Sequence, residues 1–354
     1  MSKETFNPTK FNQSGNEPFS SILEKRMSRR DVLKGGAAMA ALALFSGFGL
    51  SGCDDDDNKN NNESTDTSTD NTNNTDNTDN KLALGFNSIA GSLTDAVVVP
   101  AGYTAQVLAP WGTPLNNAAA AWKSDGTNTA ADQANAVGMH HDGMHFFPLN
   151  GSSTDGLLCI NHEYIDKNAL HFDGATRDAE LVRKEINAHG VSVVRVQLNN
   201  GVWDVVADDH YNRRFTGASP MTLAGPVAKS SFTVTPYSAD GSTARGTLNN
   251  CGNGHTPWGT YLTCEENWPG YFVAEEATMT ADQKRIGLST LAKGNRYNWH
   301  DQAGDANELE SEFTRFNVTP SGASATEDYR NEANGYGYIV EIDPYEPTSV
   351  PVKR

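Results

Sequence analysis

This sequence lacks most of the signatures by which a chemistry is read directly from a chain. It has no Gly-x-Ser-x-Gly nucleophile elbow, no phosphate-binding P-loop and no His-Glu-x-x-His zinc helix. Those absences remove the common serine hydrolase, nucleotide-binding and zinc-protease templates. Positive charge is also scarce. Against a formal net charge of -17, residues 1–52 hold seven Lys/Arg and four Asp/Glu, a local +3, so the remainder carries -20. A surface of that sign repels nucleic acid and anionic lipid and tolerates multivalent cations. Long apolar runs are missing, and sustained helical periodicity is nearly so. Only four cysteines are present.

The one apolar segment near the start, 37–50, is too short to span a bilayer and suits a signal core. It follows Ser28-Arg29-Arg30-Asp31-Val32-Leu33-Lys34, which resembles a twin-arginine export signal with Arg29 and Arg30 as the pair. Leu50-Ser51-Gly52-Cys53 resembles a lipobox, so Cys53 is the expected lipidation site and the chain is expected to be tethered to a membrane. Residues 53–80 are Asp, Asn, Thr and Ser with almost nothing else and cannot bury a core; they read as a solvated acidic tether. The domains are therefore 1–52 export signal, 53–80 tether and 81–354 folded domain. Twin-arginine export carries folded proteins, which suits a cofactor loaded beforehand.

From Lys81 the chain alternates short apolar runs with Gly, Asn, Asp and Pro. Residues 97–99 and 103–108 flank a Pro-Ala-Gly turn. Residues 191–198 and 202–207 flank Asn199-Asn200-Gly201, a strong hairpin signal. Further strands are expected at 156–160, 260–263 and 338–342, and short helices at 177–188 and 278–291. The fold class is all-β with long loops, and a β-propeller fits best among such architectures. A sandwich or jelly roll is the competing reading.

If Cys53 carries lipid, Cys159, Cys251 and Cys264 remain, an odd number for an exported protein. Cys159 and Cys264 lie in apolar runs and read as core. Cys251 sits in a polar Gly/Asn turn, open to metal ligation or to a structural role. Three segments share a format of brief apolar strand followed by ligand-type residues: 157–163 ending Asn161-His162-Glu163, 261–267 ending Glu265-Glu266-Asn267, and 338–343 with Glu341. Convergent strand ends of this kind could gather carboxylates and a thiolate round cations, oxygen ligands suiting Ca²⁺ and a mixed set suiting iron. Residues 138–148 add His140, His141, Asp142 and His145, which line such a site or simply form a turn into a strand. His255, beside Thr256-Pro257-Trp258, could support it from behind.

The segments HHDGMHFFPLNG, LLCINHEYID, NNCGNGHTPWGTYLTCEENWPGYF and YGYIVEIDPYEPTSVPVKR resemble the PhoX-type bacterial alkaline phosphatases over roughly residues 85–354. The resemblance implies a six-bladed propeller that hydrolyses phosphate monoesters at a cluster of ferric iron and calcium. By it Cys251 is an iron ligand, and Glu163, Glu265, Glu266 and Glu341 supply carboxylates, with Asn161 nearby; from their local sequence His141, Asp142, His162 and His255 are expected to line that site. The nucleophile would be a metal-bound oxygen rather than a side chain. The expected partners are phosphate monoesters, the twin-arginine machinery and, through Cys53, a membrane, with no nucleic acid and a monomeric chain. Family members are longer, so about the N-terminal half of the propeller is expected here, inactive and poorly stable by itself. Two competing readings are a lactonase- or phosphotriesterase-like propeller hydrolase and a tethered calcium-binding propeller without catalysis.

Overall fold

A computed structural model of the chain describes residues 85–304 and 312–354. The chain divides into two units, Met1–Leu82 and Ala83–Arg354, and all described residues belong to the second. Arg29, Arg30 and Cys53 lie outside the described residues. Among those described, no helix is long and apolar enough to cross a membrane.

Two sheets carry the fold. The first has the order β1-β2-β3-β4, with β1 His141–Pro148, β2 Asp155–His162, β3 Gly190–Asn199 and β4 Val202–Val205; β5, Arg213–Phe215, also pairs with β3. All its pairings are antiparallel. Strand β3 is rich in Val and covered for most of its length, as its β-branched sequence requires. It turns into β4 through Asn200 and Gly201, whose φ of 52° and 83° give the left-handed pair that a two-residue hairpin needs.

The second sheet runs β7-β6-β13-β12-β9-β8: Thr243–Arg245, Pro220–Leu223, Val352–Lys353, Ile339–Ile342, Tyr261–Glu265 and Asn250–His255. Its pairings are antiparallel except β13 with β6, which is parallel. Strands β10 (Val273–Ala274) and β11 (Ser289–Thr290) form a small parallel pair. The two main sheets approach where β1 lies beside β8. There Gly143 allows a close approach, since a Cβ would stand 2.6 Å from Asn253 Oδ1 and push that side chain aside. Asn253 Nδ2 donates to Met144 O across the same gap at 3.1 Å.

Helices are few. The periodic stretch at 177–188 becomes α3, Ala179–Asn187, capped by Asp178, following α1 (Ala130–Ala134) and α2 (Lys167–Leu170). The stretch at 278–291 gives only α4, Ala281–Arg285, because Gly287, at φ 80°, ends it. Residues 97–99 and 103–108 make the expected turn, with Tyr103 N–H donating to Pro100 O at 3.1 Å, but no strands. Val97 and Val107 are about four-fifths exposed, so no second strand or core face holds that segment in a ladder. The observed class is mostly β with few helices, and among the described residues no closed propeller ring is formed.

The main core is aromatic. Tyr271, Phe272, Tyr297, Trp299, Phe313 and Phe316 are all buried, with Tyr297 and Trp299 stacked at 5.2 Å. His189 lies edge-on to Tyr271, Tyr297 and Trp299. Fully burying one such ring contributes on the order of 1.5–3 kcal/mol.

A carboxylate and thiol cluster at the candidate active site

Two bulges build the site. Strands β1 and β2 pair His141 with His162, then slip before Met144, so Asp142 and Gly143 together oppose the single residue Asn161. Strands β8 and β9 pair Asn250 with Glu265, then slip before Asn253, so Cys251 and Gly252 together oppose the single residue Cys264. A bulge bends its strand and re-aims a side chain out of the alternation. Asp142 and Cys251 lie in these two bulges, and both Glu266 and Asp142 act on the Cys251 thiol.

Backbone bonds fix the two glutamates. Glu163 N–H donates to His140 O at 3.0 Å, and Glu266 N–H donates to Asn249 O at 2.9 Å. Glu163 lies within the influence of Asp142 and Glu266. Cys251, Asp142, Glu163 and Glu266 therefore form one cluster of a thiol and three carboxyls.

The cluster has no internal cation, and its protonation shows it. The hydrogen bond to Glu266, then burial, then Asp142 push the Cys251 thiol up to about 12. Burial, then Asp142, raise Glu163. Asp142 and Glu266 thus oppose the ionisation of Cys251 and Glu163, the condition that a bound cation reverses. A soft thiolate with hard carboxylates is a donor set that fits iron together with calcium. Asn249 adds a second sign: it is fully buried and its Oδ1 has no hydrogen-bond partner. As folded, no three His, Cys, Asp or Glu side chains among the described residues close round one point as a metal cage. The donor chemistry of Cys251 with the carboxyls fits a cation.

The remaining expected ligands are engaged elsewhere. Glu265 is buried, its Oε1 at 2.6 Å from Lys353 Nζ, and its Oε2 accepts from the N–H groups of Gly337 and Tyr338. Successive side chains of an extended strand face opposite ways, so Glu265 and Glu266 cannot both join the cluster. Glu341 accepts from Thr260 Oγ1 at 2.7 Å and Trp258 Nε1 at 3.0 Å, and pairs with Arg354 Nε at 2.6 Å. Those bonds hold its carboxyl below the ordinary range, Thr260 contributing most. Of the five expected ligands, Cys251, Glu163 and Glu266 lie near one another and near the expected site-lining Asp142, while Glu265 is paired with Lys353 and Glu341 with Arg354.

Asn161 braces the site rather than entering it. Its Nδ2 donates to Cys251 O at 2.7 Å and Gly252 O at 3.2 Å, and its Oδ1 accepts from Tyr261 OH at 2.9 Å. His162 faces away from Asn161. It is fully buried, receives Gly138 N–H at Nε2 and shares that atom with Ser192 Oγ at 2.7 Å. Burial, then Arg214, keep its imidazole neutral. His141 stands 5.0 Å from the His162 ring, also held neutral chiefly by burial. His255 is stacked on His145 at 4.0 Å.

Three participants escaped the sequence reading. Asn249, at a left-handed φ of 54°, donates from Nδ2 to Glu163 Oε1 at 3.2 Å and to Glu163 O at 3.3 Å. Tyr261 ties Asn161 to Gly143 O at 3.0 Å. The Arg296 guanidinium lies 5.0 Å over the Tyr164 ring, one residue from Glu163, without an ion pair among the described residues. The paired Asn249-Asn250 before Cys251 was the available signal for the first, since Asn is the non-glycine residue that most readily takes a left-handed turn.

Comparison with known proteins bears on this geometry. The family described as alkaline phosphatase PhoX matches residues 84–354. The twin-arginine translocation pathway signal sequence matches residues 26–46. Among solved structures, one of Pseudomonas fluorescens PhoX in complex with vanadate, a transition state analogue, is similar at 40% identity with a TM-score of 0.67. The match covers 77% of this chain and 44% of that one, so the chain spans less than half of its relative's length. No curated protein matches.

Proposed function

The chain belongs to the PhoX alkaline phosphatase family, and from that premise we propose that it is the twin-arginine-exported, metal-dependent hydrolase of phosphate monoesters to which this site belongs. The observation that carries the reading is the convergence of Cys251, Asp142, Glu163 and Glu266 from two bulges and two strand ends. Cys251, Glu163 and Glu266 would hold iron and calcium, with Asp142 beside them. Bound there, the ions would neutralise phosphoryl oxygens and stabilise the charge that develops in phosphoryl transfer.

The chain's own residues supply position. Asn161 fixes the Cys251 carbonyl and, through Tyr261, the Asp142-Gly143 bulge. Asn249 holds Glu163 in place. Arg296 is free to meet the substrate phosphate with a planar, permanently charged fork, which suits a phosphate dianion. His141 and His162, kept neutral by burial, present no charge to compete with it. Lipid attachment at Cys53, export to the periplasm or cell surface, and completion of a six-bladed propeller belong to the same proposal.

The test is elemental analysis of the purified full chain together with p-nitrophenyl phosphate hydrolysis. Stoichiometric iron, lost in C251S, with hydrolysis abolished by chelator, is the expected result. Calcium alone without hydrolysis would favour a binding module. Full iron retention in C251S would remove Cys251 from the ligand set.

A further inference from the structure

The His162 ring is fully buried, and its Nε2 has two neighbours, Gly138 N–H at 3.3 Å and Ser192 Oγ at 2.7 Å. A backbone N–H only donates, so Nε2 presents its lone pair and the proton of the ring sits on Nδ1. Ser192 must then donate to Nε2 as well. Its oxygen accepts in turn from Arg214 Nη1 at 3.2 Å, and a guanidinium also only donates. The direction is fixed from both ends: Arg214 to Ser192 to His162, and Gly138 to His162.

Strand pairing brings these groups together. Ser192 on β3 lies opposite Arg214 on β5 and opposite Ile160 on β2, two residues before His162. Arg214 is itself held, its Nη2 donating to Asn187 O at 2.8 Å and to His189 O at 2.7 Å.

What the ring supports is the entry to β1. A Cβ on Gly138 would stand 2.5 Å from His162 Cγ and 2.5 Å from Ala188 O, so glycine lets the backbone lie against the imidazole. Met139 N–H then donates to Ala188 O at 2.9 Å, and His140 takes a left-handed φ of 46°. A non-glycine residue keeps such a φ only where its surroundings hold it. The His140 carbonyl receives Glu163 N–H at 3.0 Å. Next come His141, paired with His162 across the ladder, and Asp142, in the bulge. One short segment therefore anchors Glu163 through its backbone and carries Asp142, and the His162 ring is its seat.

We propose that His162 is a positioning residue for the Cys251 cluster: Ser192 and Arg214 lock it as the Nδ1–H tautomer, and in that form it seats residues 138–142 and so places Asp142 and Glu163. The role of the cluster rests on the metal-centre reading above; the tautomer does not.

Long-range ¹H–¹⁵N spectra of the full chain, labelled in histidine, distinguish the tautomers, and H162Q identifies the resonances. A protonated Nδ1 and a bare Nε2 are expected. Calcium is the probe of position, its affinity followed through the rise in the thermal unfolding midpoint. S192A removes the side-chain donor to Nε2 and should weaken that affinity about tenfold, as loss of a group supporting a metal ligand does. An Nε2–H tautomer in the wild type, or a calcium affinity unchanged in S192A, overturns the proposal. A wild type that binds no calcium fails the metal-centre reading, and the positioning role with it, whatever the tautomer. Should S192A not fold, R214Q takes its place: it keeps the hydroxyl but frees its direction, the same loss is expected, and an unchanged affinity counts against the seat.

Discussion

Glu265 and Glu266 are neighbours in the chain and opposites in treatment. Glu265 turns into the sheet and meets Lys353 with both side chains out of contact with water. Glu266 turns to the Cys251 thiol, among carboxyls, with no cation in reach among the described residues. The first arrangement is finished and the second is waiting. Strand alternation divides the pair, and the supply of cations decides the outcome. Where the fold needs a carboxylate for itself it provides a lysine or arginine, as it does for Glu265, Glu341 and Glu332. Where it gathers three carboxyls and a thiol without one, the charge must come from outside.

The largest break in this comparison should come from E265Q. It leaves Lys353 buried and unpaired, a loss of about 3–5 kcal/mol that denaturant unfolding will read. E266Q is its counterpart: without added metal it removes like-charge repulsion and should move stability by no more than about 0.5 kcal/mol, while the stabilisation on adding calcium or iron falls away. An E266Q loss as large as that of E265Q would contradict the division.

Next in size is acid. His189 is fully buried, and burial, only partly opposed by Glu185, lowers its imidazole to about 4. Unfolded, it titrates near 6.5. Between those values the unfolded state binds the extra proton, so stability is complete above about 6.5 and falls by up to about 3 kcal/mol as pH drops to about 4. H189F should flatten that slope in a pH series of unfolding midpoints. N249A follows, costing about 1–2 kcal/mol for the buried bond to Glu163 and the left-handed turn, with metal affinity reduced as well. The smallest effect on stability is expected from R296Q, within about 0.5 kcal/mol because the side chain is exposed, with the change read as a raised KM for p-nitrophenyl phosphate.

Much of this was legible in the chain. The Asn200-Gly201 hairpin, the strand runs at 156–160, 260–263 and 338–342 and the helix after Asp178 follow from local chemistry, and the structure has them all. The sequence also placed Glu163 and Glu266 at strand ends of similar format and Cys251 in a polar turn, and the structure brings the three near one another. What was not legible was facing. Glu265 looks as good a ligand as Glu266 until a distant Lys353 claims it, and that lysine is a tertiary fact. Glu341 is diverted by Arg354 and Trp258 in the same way. The bulges were hidden because Asp-Gly and Cys-Gly read equally well as turns. Residues 97–108 looked like strands because their apolar pattern carries no information on whether a neighbour exists to pair with.

The parallel pairing of β13 with β6 sets a schedule. Thr222 pairs with Val352, far apart in the sequence, and β13 is the only link between the β6–β7 hairpin and β12, β9 and β8 in that sheet. A nascent chain that has emerged only through Ile342 therefore holds two unjoined pieces of one sheet, each with an open edge, and Glu265 has no Lys353 to face. The closing step spends its loop entropy late. The sheet that carries the Cys251 bulge is therefore continuous only once residues 352–353 are in place between β6 and β12.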